Sequence, residues 1–151
     1  MDAGTAAAGA SVVGGIMGYK GNMAAAKNAQ AVANYNAEVA ENEAVLLARR
    51  TRDNERNLRI NAERLEGQQR VMTAKSGVEM SGSPLGALFD TYISTEADAA
   101  KIRYAGSIEE SNKEAEAALI RAEGGARSSS LKYAAYGSLL TGAQQAATIK
   151  A

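Results

Sequence analysis

From Asn22 to Ser76 the chain contains no proline and a single glycine, Gly67, and is dense in alanine, glutamate, arginine, leucine and glutamine. Such residues have little or no rotamer freedom to lose in a helix, and nothing in the run interrupts one. A stripe with alternating spacings of four and three residues passes through it: Ala26, Gln30, Ala33, Ala37, Ala40, Ala44, Leu47, Thr51, Asn54, Leu58, Asn61, Leu65, Gln68 and Met72. That spacing is the heptad pattern of a helix–helix seam. Asn54, Asn61 and Gln68 lie on the stripe, where polar residues cost stability but fix register and partner number. Residues 22–76 are therefore expected to form one long arm, with Leu47, Asn54, Leu58, Asn61, Leu65 and Met72 in its seam.

The only proline closes the next segment, Ser76-Gly77-Val78-Glu79-Met80-Ser81-Gly82-Ser83-Pro84. Two glycines and a proline together predict a turn over 77–84, carried by Gly77, Gly82, Ser83 and Pro84. Ser83 suits a helix N-cap and Pro84 the first helical position, where its missing N–H costs nothing. A second arm over 85–123 follows, with a stripe of Ile93, Ala97, Ala100, Tyr104, Ile108, Ser111, Ala115, Ala118 and Ala122. Ile93, Tyr104 and Ile108 are its large seam candidates. Gly124-Gly125 is expected to break or kink this helix, leaving 124–151 as an apolar C-terminal helix. The N-terminal segment, 1–21, is apolar and rich in alanine and glycine.

A turn in the middle makes the arms antiparallel, so the fold class is all-α, a long helical hairpin. At a rise of 1.5 Å per residue the first arm extends roughly 80 Å. From Arg49 to Lys75 there are eight basic and four acidic residues, and from Glu79 to Glu123 nine acidic and four basic. A hairpin sets these side by side, and the zero net charge reads as internal neutralisation. The apolar fraction is 46%, but much of it is alanine, with one Phe and no Trp. Large buried side chains contribute about 1.5–3 kcal/mol each. A chain so poor in them is expected to form a thin seam, to be marginal alone, and to assemble as a homo-oligomer.

Hairpin closure also brings the uncharged stretches Ala3–Tyr19 and Tyr133–Ile149 to one end. Gly14 and Gly18, and Ser11 and Gly15, give the small-xxx-small spacing of close helix packing. Each stretch is about 17 residues, the lower limit for crossing a bilayer, and is only weakly apolar, so a lone helix is not expected to insert by itself. Val12, Val13, Gly14, Ile16, Met17, Gly18, Tyr136, Leu139 and Leu140 are the residues expected to meet a membrane or a neighbouring subunit.

Catalytic chemistry has little to work with. Histidine and cysteine are both absent, which removes the commonest general base and every thiolate or imidazole ligand. Glu109-Glu110, Glu114 and Glu116 read as a solvated helix face, since raised carboxylate pKa values generally need burial. Ser128-Ser129-Ser130 has no base to activate it, and Gly14-Gly15-Ile16-Met17-Gly18 lacks the ending of a phosphate loop. No catalytic, cofactor or metal residues are expected, and the chain is not read as an enzyme. The basic run Arg49-Arg50-Thr51-Arg52-Asp53-Asn54-Glu55-Arg56 has interleaved acids and no aromatics. It reads as a face paired with the acidic arm, without sequence-specific nucleic-acid binding. The start, Met1-Asp2, lacks the positive region of a cleaved signal peptide.

Around the turn, Ser76-Gly77-Val78, Ser81-Gly82-Ser83-Pro84-Leu85 and then Ile102-Arg103-Tyr104-Ala105-Gly106 resemble the internal virion (ejection) proteins of short-tailed bacteriophages, of the smallest internal core type. The Ala/Gly-rich start and the two flanking helices fit the same pattern. The resemblance implies a structural protein packed in the virion interior near the portal, with other phage core, portal or tail proteins as partners. It further implies release into the host cell envelope, contact with the host outer membrane, and a part in a conduit for the genome. Some members have a further C-terminal segment that this chain does not show after Ala151, so anchoring by such a tail is not implied. The competing expectation is a soluble coiled-coil adaptor or secretion-apparatus subunit that never meets lipid.

Overall fold

In the computed structural model the backbone is described for residues 3–79 and 81–150, and the side chains for residues 9–79 and 81–148. Met1, Asp2, Met80 and Ala151, which fall in the expected N-terminal segment, turn and C-terminal helix, lie outside the described residues. Two helices, α1 (Ala3–Lys75) and α2 (Ser83–Lys150), make up the fold, and there is no strand among the described residues. The chain is an all-α helical hairpin. Neither expected boundary at 21/22 nor that at 123/124 interrupts a helix: α1 is continuous through the first and α2 through the second.

The turn is made by two glycines in the left-handed region, Gly77 at φ 69° and Gly82 at φ 61°. α1 closes with the Ser76 N–H donating to the Met72 carbonyl at 3.0 Å and the Gly77 N–H to that of Ala74 at 3.3 Å. The Gly86 N–H donates to the Gly82 carbonyl at 3.0 Å. Gly82, rather than Ser83, therefore holds the cap position, and Ser83 and Pro84 are the first two helical residues. A Cβ on either turn glycine would meet open space, so replacement costs only backbone strain. Gly77→Ala and Gly82→Ala should each lower stability by about 1–2 kcal/mol in urea melts. Gly67→Ala, mid-helix and equally unobstructed, should raise it by up to about 1 kcal/mol.

The helices pair in two units, one of residues up to Ala40 with those from Ala115 onward, the other of Glu41–Glu114. In the first unit Gly15 lies against Gly142, and Ala33 against Gly124, so the helices run antiparallel. Its buried positions among the described residues are Gly15, Ala26, Ala33, Ala37 and Ala40 on α1 and Ala117, Gly124, Ser128, Ala135 and Gly142 on α2. Ile120 packs against Ala37, Ala40 and Ala117. Gly124 does not break α2, because it lies where the two helices touch: a Cβ there would collide with the Ala33 Cβ.

In the second unit Thr51 faces Gly106, and the Gln69 amide donates to the Thr91 hydroxyl at 3.3 Å, again antiparallel. Buried here are Ala44, Glu55, Ala99 and Gly106. Across both units no large side chain among the described residues is fully buried. The seam is made of alanine, glycine, serine and threonine, which let backbones approach closely and gain dispersion contact in place of bulk.

Most of the expected seam residues lie elsewhere. Leu47 and Leu58 are half-buried, but Asn54 and Asn61 are exposed, and so are Leu65, Met72, Ile93, Tyr104 and Ile108. The seam follows an eleven-residue spacing: Ala33, Ala44 and Glu55 on α1, and Thr95, Gly106, Ala117 and Ser128 on α2. Eleven residues in three turns is about 3.67 per turn, close to an untwisted helix, whereas a seven-residue stripe drifts about 20° per heptad. Four heptads after Ala26 that drift is nearly one residue position. The expected stripe is accordingly buried at Ala26, Ala33, Ala37, Ala40 and Ala44 but one residue early from Asn54 onward. On α2 the expected stripe is exposed throughout, because its large side chains attracted the assignment while smaller ones form the contact.

Candidate assembly site

In the first unit the residues expected at a membrane or subunit contact present a bare apolar surface. Val12, Val13, Ile16, Met17, Tyr136 and Leu140 are exposed, as is Tyr133, and Leu139 is half-buried. The two expected glycines differ. Gly14 is exposed with open space around it, whereas Gly18 is half-buried, with the Ser138 Cβ 3.0 Å from where its own Cβ would lie. At this end of the unit backbone meets backbone at Gly15 and Gly142, which the small-residue pattern only half anticipated. A Cβ on Gly15 would sit 2.9 Å from the Ser138 carbonyl oxygen and 3.2 Å from the Gly142 Cα. The Tyr19 and Tyr136 rings meet at 5.9 Å, tilted by 53°, and the Asn22 amide donates to the Ser138 hydroxyl at 3.3 Å. Close backbone approach thus directs Val12, Val13, Ile16 and Met17 outward.

In the second unit the charges form a local cluster. Glu55, with its side chain 11% exposed, pairs with Arg59 at 2.9 Å and with Arg103 at 3.6 Å. Arg59 also pairs with Glu96 at 3.2 Å. These two guanidinium groups compensate the burial of the Glu55 carboxylate, a residue that no motif marked. Lys113 pairs with Glu43 at 2.9 Å. Arg59–Glu96 runs in the expected sense, basic α1 to acidic α2, while Arg103–Glu55 and Lys113–Glu43 cross the other way. Arg49, Arg50, Arg56, Arg64 and Arg70 are exposed and make no ion pair with a described residue. Neutralisation of the basic arm by the acidic one is therefore partial.

The hydrogen bond from Arg59 holds the Glu96 carboxyl below its ordinary pKa, with partial burial opposing and the charges of Arg59 and Arg103 reinforcing it. A depressed carboxylate contributes stability that is present above the unfolded-state pKa and lost as pH falls through the folded one. Glu96→Gln should leave melts unchanged only at a pH below the depressed folded value of Glu96 and lower stability slightly at neutral pH, read by thermal melts at both values.

The outward faces of this unit are apolar on α2. Leu85, Phe89, Tyr92, Ile93, Tyr104 and Ile108 are all at least 43% exposed. Among the described residues no group of three or more acidic side chains could hold a metal ion. No helix among the described residues is long and apolar enough to cross a membrane. What the surfaces offer is area for packing, and comparison of the chain with protein-family models, with curated proteins and with solved structures gives no match.

Proposed function

We propose that this chain is a structural assembly protein whose function is carried by its outward faces, and that it serves as an internal virion protein of the kind its turn sequence resembles. The observation that supports this reading is the inversion of side-chain size. Small residues fill the seam, while among the described residues twenty-three large apolar side chains, from Val12 to Leu140, are exposed. Contiguous apolar patches beyond a few hundred Å² on a protein surface mark interaction sites. In the proposed role, copies pack side by side in the virion near the portal with other core, portal or tail proteins. After release they line a conduit for the genome through the host envelope. Because no helix among the described residues is long and apolar enough to cross a membrane, such a conduit takes several copies together, with the Val12–Met17 and Tyr133–Leu140 surfaces against lipid or a neighbour.

A second reading, a soluble coiled-coil adaptor without a membrane role, uses the same exposed apolar faces for packing against protein alone. Flotation of purified protein with liposomes of bacterial lipid distinguishes them. Co-flotation with release of an entrapped dye is expected for the envelope role, and protein left at the bottom of the gradient selects the adaptor. Either reading couples folding to association, since ordering each residue costs about 1–2 kcal/mol and the seam alone buries little. The thermal midpoint should rise with protein concentration. A midpoint constant over a hundredfold dilution, with a monomer by sedimentation, sinks the assembly reading.

A further inference from the structure

Within the Glu41–Glu114 unit each helix has a second, uncharged stripe in addition to its seam. On α2 it comprises Phe89, Ile93, Ala97, Ala100, Tyr104 and Ile108, all exposed and, at 100° per residue, on the side of the helix opposite the seam. On α1 it comprises Asn54, Asn61, Leu65, Gln68 and Met72, also exposed. The rims of the two stripes carry opposite charge. Asp90, three residues before Ile93, and Glu114, six after Ile108, border the α2 stripe. Arg50, four before Asn54, Arg64, four before Gln68, and Lys75, three after Met72, border the α1 stripe. All five are exposed and make no ion pair with a described residue. The other charges on the α2 rim, Glu96, Lys101 and Arg103, are held by Arg59, Asp98 and Glu55, and on the α1 rim Asp53, beside Asn54, is an acid among the three bases.

We propose that the α2 stripe of one copy seats on the α1 stripe of a second copy of this chain, head to tail. The choice of partner follows from the rims. Two α2 stripes face to face would set Asp90 and Glu114 against their own kind, and two α1 stripes would do the same with Arg50, Arg64 and Lys75. Like charges juxtaposed across an interface oppose association, and unlike charges fix register. Only the mixed pairing brings Phe89, Ile93 and Tyr104 against Leu65 and Met72 with acids opposite bases. Such a contact is heterologous: each copy leaves one stripe open for the next, so assembly continues until a ring closes or a filament grows.

This inference rests on the self-assembly reading above, and charge exchange separates the two. One variant carries Arg50→Glu, Arg64→Glu and Lys75→Glu, and the other Asp90→Lys and Glu114→Lys. Each is checked for helicity by circular dichroism and for association by sedimentation velocity at low salt. Each alone should associate roughly tenfold or more weakly than the parent. Mixed in equal amounts they should recover parental assembly, since every contact in an alternating array is again acid against base. Should reversal cost helicity, the neutral versions, with Gln for Arg and Lys, Asn for Asp and Gln for Glu, replace it, with each single variant weakened less. In a mixture of the reversed pair, failure to recover association overturns the proposal, as does parental association of the α1 variant alone. If that variant assembles normally and loses only binding to a short DNA duplex, the arginines serve nucleic acid and the proposal fails. A parent chain that is itself monomeric overturns the assembly reading instead.

Discussion

Gly124→Ala is expected to destabilise the hairpin by about 1–3 kcal/mol, the usual cost of overfilling a packed contact, although the same change in an open helix stabilises. Glycine in a helix interior costs about 1 kcal/mol relative to alanine, so propensity alone predicts a gain. The new Cβ, however, would collide with the Ala33 Cβ. That atom is fixed to the α1 backbone and cannot rotate away, so the helices themselves must separate. Gly106 is the corresponding place in the second unit, where a Cβ would lie 2.8 Å from that of Thr51. Thermal and urea melts of Gly106→Ala and Gly124→Ala, beside Gly21→Ala and Gly67→Ala, should show opposite signs, the latter two positions being unobstructed. Stabilisation by Gly124→Ala would mean that the helices do not meet there.

The second large effect is local. Gly15→Leu is expected to open the end of the first unit, whereas Gly14→Leu, one residue away, leaves it closed. At Gly15 the obstructing atoms are the Ser138 carbonyl oxygen and the Gly142 Cα, both backbone. At Gly14 there is nothing within 4 Å. A loss of about 1–3 kcal/mol corresponds to roughly five- to 150-fold faster amide exchange where opening is local. The acceleration should appear near Gly15 and Gly142 and spare the amides around Thr51 and Gly106. Gly14→Leu should instead alter association or liposome release if that surface meets a neighbour or lipid. Equal exchange in the two variants would remove the close approach from the account.

Much of the fold is legible in the sequence itself. An uninterrupted run from Asn22 to Ser76 made of helix formers has little alternative to a helix, because local propensity and the absence of breakers agree over many turns. The turn was equally clear. Two glycines and the lone proline cluster in nine residues, and left-handed backbone at Gly77 and Gly82 is what glycine admits without a Cβ penalty. Antiparallel pairing follows from those two facts. The outward position of Val12, Val13, Ile16 and Met17 was also consistent with the small residues beside them.

Which faces meet was decided only by the tertiary packing. In a sequence, Ile93, Tyr104 and Ile108 attract assignment to a core because burying large side chains is favourable. Their apolar surface specifies that something should cover it, but not what. Two helices of alanine and glycine gain by approaching closely along Ala33, Gly106, Ala117 and Gly124, and that gain depends on both backbones at once, so neither segment records it alone. The period has the same origin. A seven-residue stripe suits helices that wind around each other, while these pair along eleven-residue spacing near the natural turn of the helix. Asn54 and Asn61 thereby leave the seam and Glu55 enters it, held by Arg59 and Arg103. The large side chains remain outside because the seam has no room for them.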